Sequence, residues 1–301
     1  MKIALRSGCG TAAPGNAVSM SSSVRRSAIV FAVVALVVAG LAAAESFRSG
    51  RDLDEQFPSA ALAGPAHALV VLPPGYSTSG LRYPVVYFLH GLPAGPSAYR
   101  ASGWLERALE QAGPAILVEP QGAKSGDTDP EYLDWGAGRN WETYVTVELP
   151  RYIDRHFRTI ANRRGRAIVG LSAGGYGAAA LGLGHLDLFS VVESWSGYFH
   201  PTDPTGAKPL AAAPAANVHN LIGRLRKSQR MWPTFFAFYV GRGDARFRAE
   251  NLQLHRELVA AHVPHVFELY EGGHRTSVWE AHAPGWLALA LDRLEHPQHV
   301  A

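Results

Sequence analysis

The chain has 301 residues, of which 47% are hydrophobic and 18% are charged. This composition supplies enough apolar side chains for a large buried core, and it excludes a globally disordered protein. The chain contains one cysteine. That count excludes a disulfide-stabilised scaffold and any zinc site that takes two or more thiolates from this chain.

The net charge of +3 comes from the N-terminal segment. Residues 1–44 carry four basic side chains and no acidic one, which leaves 24 basic and 25 acidic residues in the rest of the chain. A body so close to neutrality has no general electrostatic attraction for nucleic acid. We therefore expect no nucleic-acid partner.

An apolar stretch of 17 residues, 28–44, follows Arg25 and Arg26 and ends in three alanines. A basic start, an apolar middle and a small-residue end are typical of a secretory signal peptide, with the cut expected after Ala44. The alternative is a retained membrane anchor, although a spanning helix needs about 20 residues. Both interpretations place residues 45–301 outside the cytoplasm, secreted or in the cell envelope.

Met1 and Met20 are both candidate starts, because Met20 would begin a signal of more ordinary length. Residues 45–62 are predicted to be a linker, and residues 63–296 are predicted to form one catalytic domain. Within that domain, residues 199–232 contain four prolines, an alanine run and a basic patch. This stretch is too long for an ordinary connection, so we interpret it as a lid or substrate-binding insertion. A surface excursion without function is the alternative.

Short apolar, β-branched runs alternate with helix-like stretches along the body of the chain. The predicted strands are 68–72, 84–89, 115–119, 167–171, 191–195, 234–240 and 265–270. The predicted helices are 104–111, 142–157, 173–183, 246–261 and 278–294. This alternation predicts an α/β fold with a mostly parallel, doubly wound sheet and helices on both faces. The first two strands, joined through Pro73-Pro74-Gly75, are expected to form an antiparallel start.

The segment Gly170-Leu171-Ser172-Ala173-Gly174 has the pattern G-x-S-x-G and lies between a predicted strand and a predicted helix. At such a strand-to-helix turn, glycines permit the tight backbone that exposes the serine hydroxyl. We predict that Ser172 is a catalytic nucleophile. The alternative is a glycine-rich loop with an incidental serine.

A serine hydroxyl is a weak nucleophile at neutral pH and needs a base beside it. Asp244 and His274 directly follow the last two predicted strands. The order serine, acid, histidine and the positions after strand ends suit an open α/β sheet, so His274 is the predicted base and Asp244 the acid that orients it. A helix N-cap is the alternative for Asp244, and an incidental loop histidine for His274. Asp187 and Asp203 are rival acids that lack a comparable glycine-framed turn.

The negative charge that develops on an attacked carbonyl oxygen needs hydrogen-bond donors. The N–H of Ala173, directly after the nucleophile, is the first predicted donor. The second should come from the loop after an early strand, where the chain runs through His90, Gly91 and Leu92. We favour the Leu92 N–H, with the Gly91 N–H as the alternative. We interpret His90 as a structural residue that fixes this loop.

Several further motifs occur in a fixed order between residues 65 and 295. They are His90-Gly91-Leu92, Ser102-Gly103-Trp104, Asn140-Trp141-Glu142-Thr143-Tyr144 with Glu148-Leu149-Pro150, Gly170 to Gly175, Ser196-Gly197-Tyr198-Phe199, and Gly272-Gly273-His274 with Trp279. In this combination the chain resembles the putative-esterase branch of the α/β-hydrolases, which includes esterase D-like enzymes and the antigen 85 mycolyltransferases. The resemblance implies an α/β-hydrolase fold. It also implies the roles of nucleophile for Ser172, base for His274 and orienting acid for Asp244.

The chain departs from the mycolyltransferase pattern at two places. That branch carries Asp-Gly-Leu where this chain has His90-Gly91-Leu92, and it uses a glutamate where this chain offers Asp244. The resemblance assigns the first aspartate to binding of a sugar acceptor, so its absence favours simple ester hydrolysis. The stretch Trp141-Glu142-Thr143-Tyr144 instead favours the transferase branch.

Together these features predict an exported serine esterase that hydrolyses carboxylic esters through an acyl-enzyme on Ser172. Its expected partner is a small-molecule, lipid or sugar ester, and we expect no cofactor and no metal, since no H-E-x-x-H or similar spacing occurs. One alternative is a mycolyltransferase-like enzyme that moves an acyl chain to a sugar such as trehalose. The other is a non-catalytic surface-binding protein on the same fold. An N-terminal membrane tether belongs to the anchor interpretation of residues 28–44.

Overall fold

A computed structural model of the chain describes residues 51–100, 103–127, 129, 131–202 and 214–299. The predicted signal peptide or anchor, the first residues of the predicted linker and both candidate starts lie outside these residues. Within the part of the chain that the structure describes, every helix is too short or too polar to cross a membrane.

Strands and helices alternate along the described chain, and the strands form one large sheet. The strands are β1 Asp52–Ser59, β2 Gly64–Val71, β3 Val85–Leu89, β4 Ile116–Pro120, β5 Arg166–Leu171, β6 Val191–Trp195, β7 Phe235–Gly241 and β8 Val266–Tyr270. They lie in the order β1-β2-β4-β3-β5-β6-β7-β8. β2 is antiparallel to β1 and β4, whereas the neighbouring pairs from β4 to β8 are parallel. All seven predicted strands are present, and the mostly parallel α/β fold class is confirmed.

Helices cover both faces of this sheet. They are α1 Tyr76–Ser79, α2 Gly103–Ala112, α3 Trp141–Thr143, α4 Leu149–His156, α5 Ala173–Gly184, α6 Val218–Ser228, α7 Arg248–Ala260 and α8 Thr276–Leu291, with a π-helical turn Tyr144–Glu148 between α3 and α4. On one face, Leu105 of α2 and Trp286 of α8 pack with Phe88 of β3. On the other face, buried residues of α4 to α7 belong to one core cluster with Tyr87 and Leu89 of β3. The doubly wound arrangement explains why β3 and β4 are buried at every position.

The start of the sheet differs from the sequence-based expectation in two ways. β1 occupies residues 52–59, within the predicted linker 45–62, so the folded domain begins before residue 63. β1 is an edge strand on which exposed positions alternate with more buried ones. Because its exposed face carries acidic side chains, its composition resembles that of a linker. The predicted antiparallel start is also wrong in its pairing, because β4 lies between β2 and β3.

The predicted insertion, residues 199–232, is only partly described. Residues 203–213 lie outside the described residues. Its second half forms helix α6, which buries Leu221 and Leu225 against the core and carries the basic patch on and just after its C-terminal half. This part of the stretch is therefore a packed element of the domain.

Candidate active site

The turn between β5 and α5 holds Ser172 in a strained conformation. Its φ is 56° and its ψ is −120°, a region that residues with a side chain rarely adopt. The turn is tight because the backbone passes very close to itself and to β3. A Cβ atom on Gly174 would lie 1.9 Å from the carbonyl oxygen of Leu89, and one on Gly170 would lie 2.1 Å from the carbonyl oxygen of Gly174. Only glycine fits at these two positions, which is why the motif needs them.

Ser172, His274 and Asp244 lie in one chain of hydrogen bonds. The Ser172 Oγ is 2.9 Å from Nε2 of His274, and Nδ1 of the same ring is 2.8 Å from Oδ2 of Asp244. A carboxylate only accepts, so Nδ1–H donates to Asp244 and Nε2 is left to accept the serine hydroxyl proton. This is the tautomer that a general base needs.

The acid is buried and surrounded by donors. Asp244 is 1% exposed, and its Oδ1 accepts the backbone N–H groups of Arg246 and Phe247 at 3.2 Å each. Burial acts to raise the pKa of Asp244, but the hydrogen bonds from His274 and these two N–H groups outweigh it and hold the pKa below its usual value. Asp244 thus contacts the imidazole and also caps the turn that leads into α7, which are the two alternatives the sequence left open.

The loops after β7 and β8 hold the acid and the histidine at a fixed separation. The N–H of Arg242 donates to the carbonyl of Tyr270 at 2.8 Å, and the N–H of Gly243 donates to the carbonyl of Gly272 at 2.7 Å. These bonds extend the parallel pairing of β7 with β8 beyond the sheet. The register of two strands therefore sets the spacing between Asp244 and His274.

The two backbone segments that carry the predicted oxyanion donors adjoin Ser172. Ala173 is the first residue of α5, so its N–H has no acceptor within the helix and lies at the positive end of the helix dipole. The loop after β3 also packs on Ser172, since a Cβ on Gly91 would lie 3.0 Å from Cβ of Ser172. Leu92, the predicted second donor, follows in this loop with its side chain 46% exposed. Both donor assignments remain predictions.

His90 is buried and contacts its own loop. Its Nδ1 lies 2.9 Å from the carbonyl oxygen of Gly91, so Nδ1–H donates, and the hydroxyl of Tyr132 donates to the carbonyl of His90 at 2.8 Å. Burial lowers the pKa of His90, which favours the neutral ring. Because the Gly91 carbonyl and the Leu92 N–H belong to one peptide unit, this contact also restrains the direction of that N–H. The geometry fits a structural role for His90.

Comparison with known proteins identifies the family. The family model described as "Putative esterase" matches residues 59–288. The chain belongs to this esterase family. The resemblance found in the sequence motifs is thereby confirmed.

Curated relatives of this chain include proteins named as an esterase and as an acyltransferase/mycolyltransferase. A Mycobacterium tuberculosis protein named as an esterase is 36% identical over 129 residues, which cover 42% of this chain and 28% of the relative. The diacylglycerol acyltransferase/mycolyltransferase Ag85A of Mycobacterium leprae is 32% identical over 152 residues, or 46% of this chain and 43% of the relative. The MPT51/MPB51 antigen of Mycobacterium bovis is 32% identical over 171 residues, which cover 54% of this chain and 46% of the relative. The matched segments thus span less than half of each relative.

Solved structures show that the chain has the α/β-hydrolase fold. A ferulic acid esterase matches with a TM-score of 0.65 at 23% identity and covers 81% of this chain and 98% of its own. An S-formylglutathione hydrolase of Agrobacterium tumefaciens matches with a TM-score of 0.65 at 21% identity, covering 81% and 96%. The predicted α/β-hydrolase fold is confirmed.

The candidate site includes aromatic contacts that sequence reasoning missed. The ring centroid of Phe247 lies 5.2 Å from that of His274, and the ring centroid of Trp279 lies 4.8 Å from it. Phe247 is three residues after the acid and Trp279 is five residues after the histidine, so proximity along the chain was the available signal. Among the described residues, no group of three or more histidine, cysteine or acidic side chains could hold a metal ion.

Proposed function

We propose that this esterase hydrolyses carboxylic esters through a covalent acyl-enzyme on Ser172. The observation that supports this most directly is the hydrogen-bond chain from Asp244 through His274 to Ser172, with distances of 2.8 and 2.9 Å. An activated serine needs a base in contact and a third group that orients the base. All three side chains follow the carboxyl ends of parallel strands, where α/β sheets bind ligands.

The reaction begins when Nε2 of His274 removes the hydroxyl proton of Ser172 as Oγ attacks the ester carbonyl carbon. The carbonyl π electrons move to oxygen, and the N–H groups of Ala173 and Leu92 stabilise that oxyanion. The imidazolium then returns its proton to the departing alcohol, which leaves an acyl group on Oγ. Water enters by the same route: His274 takes its proton, the hydroxide attacks the acyl carbon, and Ser172 regains its hydrogen.

Asp244 contributes in two ways to this cycle. Its carboxylate accepts Nδ1–H and so keeps Nε2 free to act as a base. Its negative charge also stabilises the imidazolium that forms when Ser172 loses its proton. The hydrogen bonds that keep its pKa low ensure that this charge is present at neutral pH.

Acyl transfer to an alcohol is the second candidate, because the curated relatives include a protein named as a mycolyltransferase. The two outcomes differ only in whether water or an alcohol attacks the acyl-enzyme. His90 favours water, since it stands in the sequence motif where the resemblance places the aspartate that binds a sugar acceptor. Product analysis with and without added trehalose separates the two: a hydrolase releases the free acid in both mixtures, and a transferase forms the sugar ester.

Export is a further part of the proposal and has its own test. The basic, apolar and small-residue order of residues 25–44 supports a cleaved signal peptide. Expression of the full chain and N-terminal sequencing of the secreted protein should give a mature terminus at residue 45. A protein that keeps residues 28–44 and sediments with membranes would instead support the anchor.

The central experiment compares Ser172→Ala with Ser77→Ala on short-chain nitrophenyl esters. Ser77 is exposed on α1 and serves as the matched control. Removal of the nucleophile should lower kcat by at least ~10⁴-fold, and the control should keep wild-type turnover. A fluorophosphonate probe should label the wild type and not Ser172→Ala. Near-wild-type turnover of Ser172→Ala would contradict the proposal, and absence of labelling in the wild type would support the non-catalytic alternative.

A further inference from the structure

A cluster of three polar side chains lies next to the histidine, and the reaction steps above do not use it. The indole N–H of Trp279 donates to the hydroxyl of Ser196 at 3.1 Å, and the same hydroxyl lies 2.6 Å from the hydroxyl of Tyr270. An indole nitrogen can only donate, so the Ser196 oxygen accepts from it, and one of the two hydroxyls donates to the other. The cluster is therefore an ordered network with a defined direction at its Trp279 end.

The cluster is buried and fixed to the ends of two strands. Ser196 is 0% exposed, Tyr270 is 3% exposed and Trp279 is 6% exposed. Tyr270 is the last residue of β8, and Ser196 directly follows β6. The Ser196 N–H also donates to the carbonyl of Tyr239 at 2.7 Å. Water cannot replace hydrogen bonds at this depth without a local opening, so the network restrains the Trp279 indole firmly.

The backbone at Ser196 is strained, which points to a specific requirement at this position. Its φ of 49° lies in the left-handed region, which favours glycine. Residues held in such conformations cluster at functional sites, where the surrounding structure over-determines them. Here the strain orients the Ser196 hydroxyl so that it meets both Trp279 and Tyr270.

The restrained indole lies directly against the catalytic base. The Trp279 and His274 ring planes meet at 89° with centroids 4.8 Å apart, an edge-to-face contact. The ring of Phe247, from the turn that Asp244 caps, makes a second contact at 5.2 Å and 64°. Two aromatic rings therefore limit rotation of the imidazole.

We propose that Ser196, Tyr270 and Trp279 are positioning residues that hold the His274 imidazole in line with both Asp244 and Ser172. This role rests on the proposed function, because it matters only if His274 transfers protons. The ring takes and returns a proton in each half of the cycle, so it must stay aligned with two partners in both protonation states. Rotation away from either partner breaks one of the two hydrogen bonds.

The test removes the network without removing the aromatic ring. Trp279→Phe deletes the indole N–H, Ser196→Ala deletes its acceptor, and the double variant deletes both. Tyr270→Phe opens the network from its other end and covers the case in which Ser196→Ala does not fold. Trp286→Phe is the matched control, because Trp286 lies on the same helix and donates its N–H to Glu268 at 3.1 Å.

We expect Trp279→Phe and Ser196→Ala each to lower kcat about tenfold, a fraction of the ~10²- to 10⁴-fold that a positioned proton-transfer group contributes. KM should stay within about twofold, because no substrate contact changes. The double variant should lose no more than either single variant, since all three break the same connection. Trp286→Phe should keep wild-type kcat.

The second measurement is independent of turnover. The proton that His274 Nδ1 donates to a buried carboxylate gives a far-downfield NMR signal, which should broaden or vanish in Trp279→Phe and persist in Trp286→Phe. An unchanged signal with unchanged kcat in Trp279→Phe and Tyr270→Phe would overturn the positioning role, as would equal losses in the control. Neither result would affect the proposed function, which Ser172→Ala and the fluorophosphonate probe test separately.

Discussion

Two buried carboxyl groups on neighbouring parts of the sheet are held in opposite states. Asp244 follows β7 and is 1% exposed, and Glu193 lies in the middle of β6 and is 0% exposed. Hydrogen bonds hold the pKa of Asp244 below its usual value, whereas burial raises the pKa of Glu193 to about 8. Two carboxyl groups with almost no exposed surface are thus a carboxylate at the end of β7 and a mostly protonated group at neutral pH in the middle of β6.

The difference comes from the donors that each location offers. At the end of β7, the turn toward α7 supplies two free backbone N–H groups and the loop after β8 supplies the imidazole. In the middle of β6, the backbone N–H groups are used by the parallel ladder, and the side chain of Glu193 accepts from the Trp195 indole at 3.0 Å and the Tyr239 hydroxyl at 3.1 Å. Strand ends can hold a buried charge because their backbone donors are not yet committed.

The largest expected effect tests the charged member of this pair. Asp244→Asn should lower kcat about 10⁴-fold with little change in fold. The Asn oxygen should still accept the hydrogen bonds from the N–H groups of Arg246 and Phe247. The NH2 group of the Asn side chain then faces His274. Nδ1 must then accept, so the ring proton moves to Nε2 and no base faces Ser172. The measurement is kcat on a saturating nitrophenyl ester.

The matched control for this variant is Asp292→Asn, which changes an acid whose side chain is 69% exposed at the end of α8. It should keep wild-type kcat. A decrease of less than about tenfold in Asp244→Asn would mean that the imidazole does not depend on the carboxylate for its tautomer.

The second effect tests the protonated member. Folding keeps Glu193 protonated up to a pKa of about 8, whereas the unfolded chain loses this proton near pH 4.5. The folded state therefore binds more protons between these values, and the free energy of unfolding should fall as the pH rises from 4.5 to 8. The shift corresponds to an effect on the order of 4 kcal/mol.

Glu193→Gln should remove this part of the pH dependence, because its neutral amide can still accept from Trp195 and donate to Tyr239. Urea unfolding should find the variant more stable than the wild type at pH 8, with the gap closing near pH 5. The pKa of Glu131 is also raised to about 8, so a smaller slope should remain. Parallel curves for the two proteins would show that Glu193 is ionised in the folded state.

The smallest effect concerns a single donor. Tyr239→Phe removes the hydroxyl beside Glu193 and should lower the free energy of unfolding by about 1 kcal/mol at pH 6. Turnover should be unaffected, since the Tyr239 hydroxyl bonds to Glu193 and the substitution keeps the backbone carbonyl that accepts from the Ser196 N–H. A loss of turnover without a loss of stability would show that the middle of the sheet and its edge are coupled.

Much of the fold could be predicted from local sequence patterns. Strands covered on both faces, such as β3, are continuous apolar runs, and that signal needs no knowledge of neighbouring strands. β1 was missed because an edge strand needs only one buried side, and Asp52, Asp54 and Glu55 removed the apolar signal. The place of β2 beside β4 depends on long-range pairing that no local pattern records.

The candidate site also has a part that local sequence patterns predict and a part that depends on long-range contacts. Ser172, Asp244 and His274 could be proposed together because strand ends and glycine-framed turns are visible in the chain, and the structure brings the three into contact. Their catalytic roles remain predictions. The contacts of Ser196 with Tyr270 and with Trp279 could not be found, because they join residues 74 and 83 positions apart.

The carboxylate of Asp244 accepts hydrogen bonds both from the turn that leads into α7 and from the imidazole of His274. This shared acceptor has a consequence for heat inactivation. If the turn at residues 244–247 frays, Asp244 loses its backbone donors, and its hydrogen bond to His274 weakens at the same time. On warming, activity should therefore be lost through local unfolding of this turn, at temperatures where the rest of the domain is still folded.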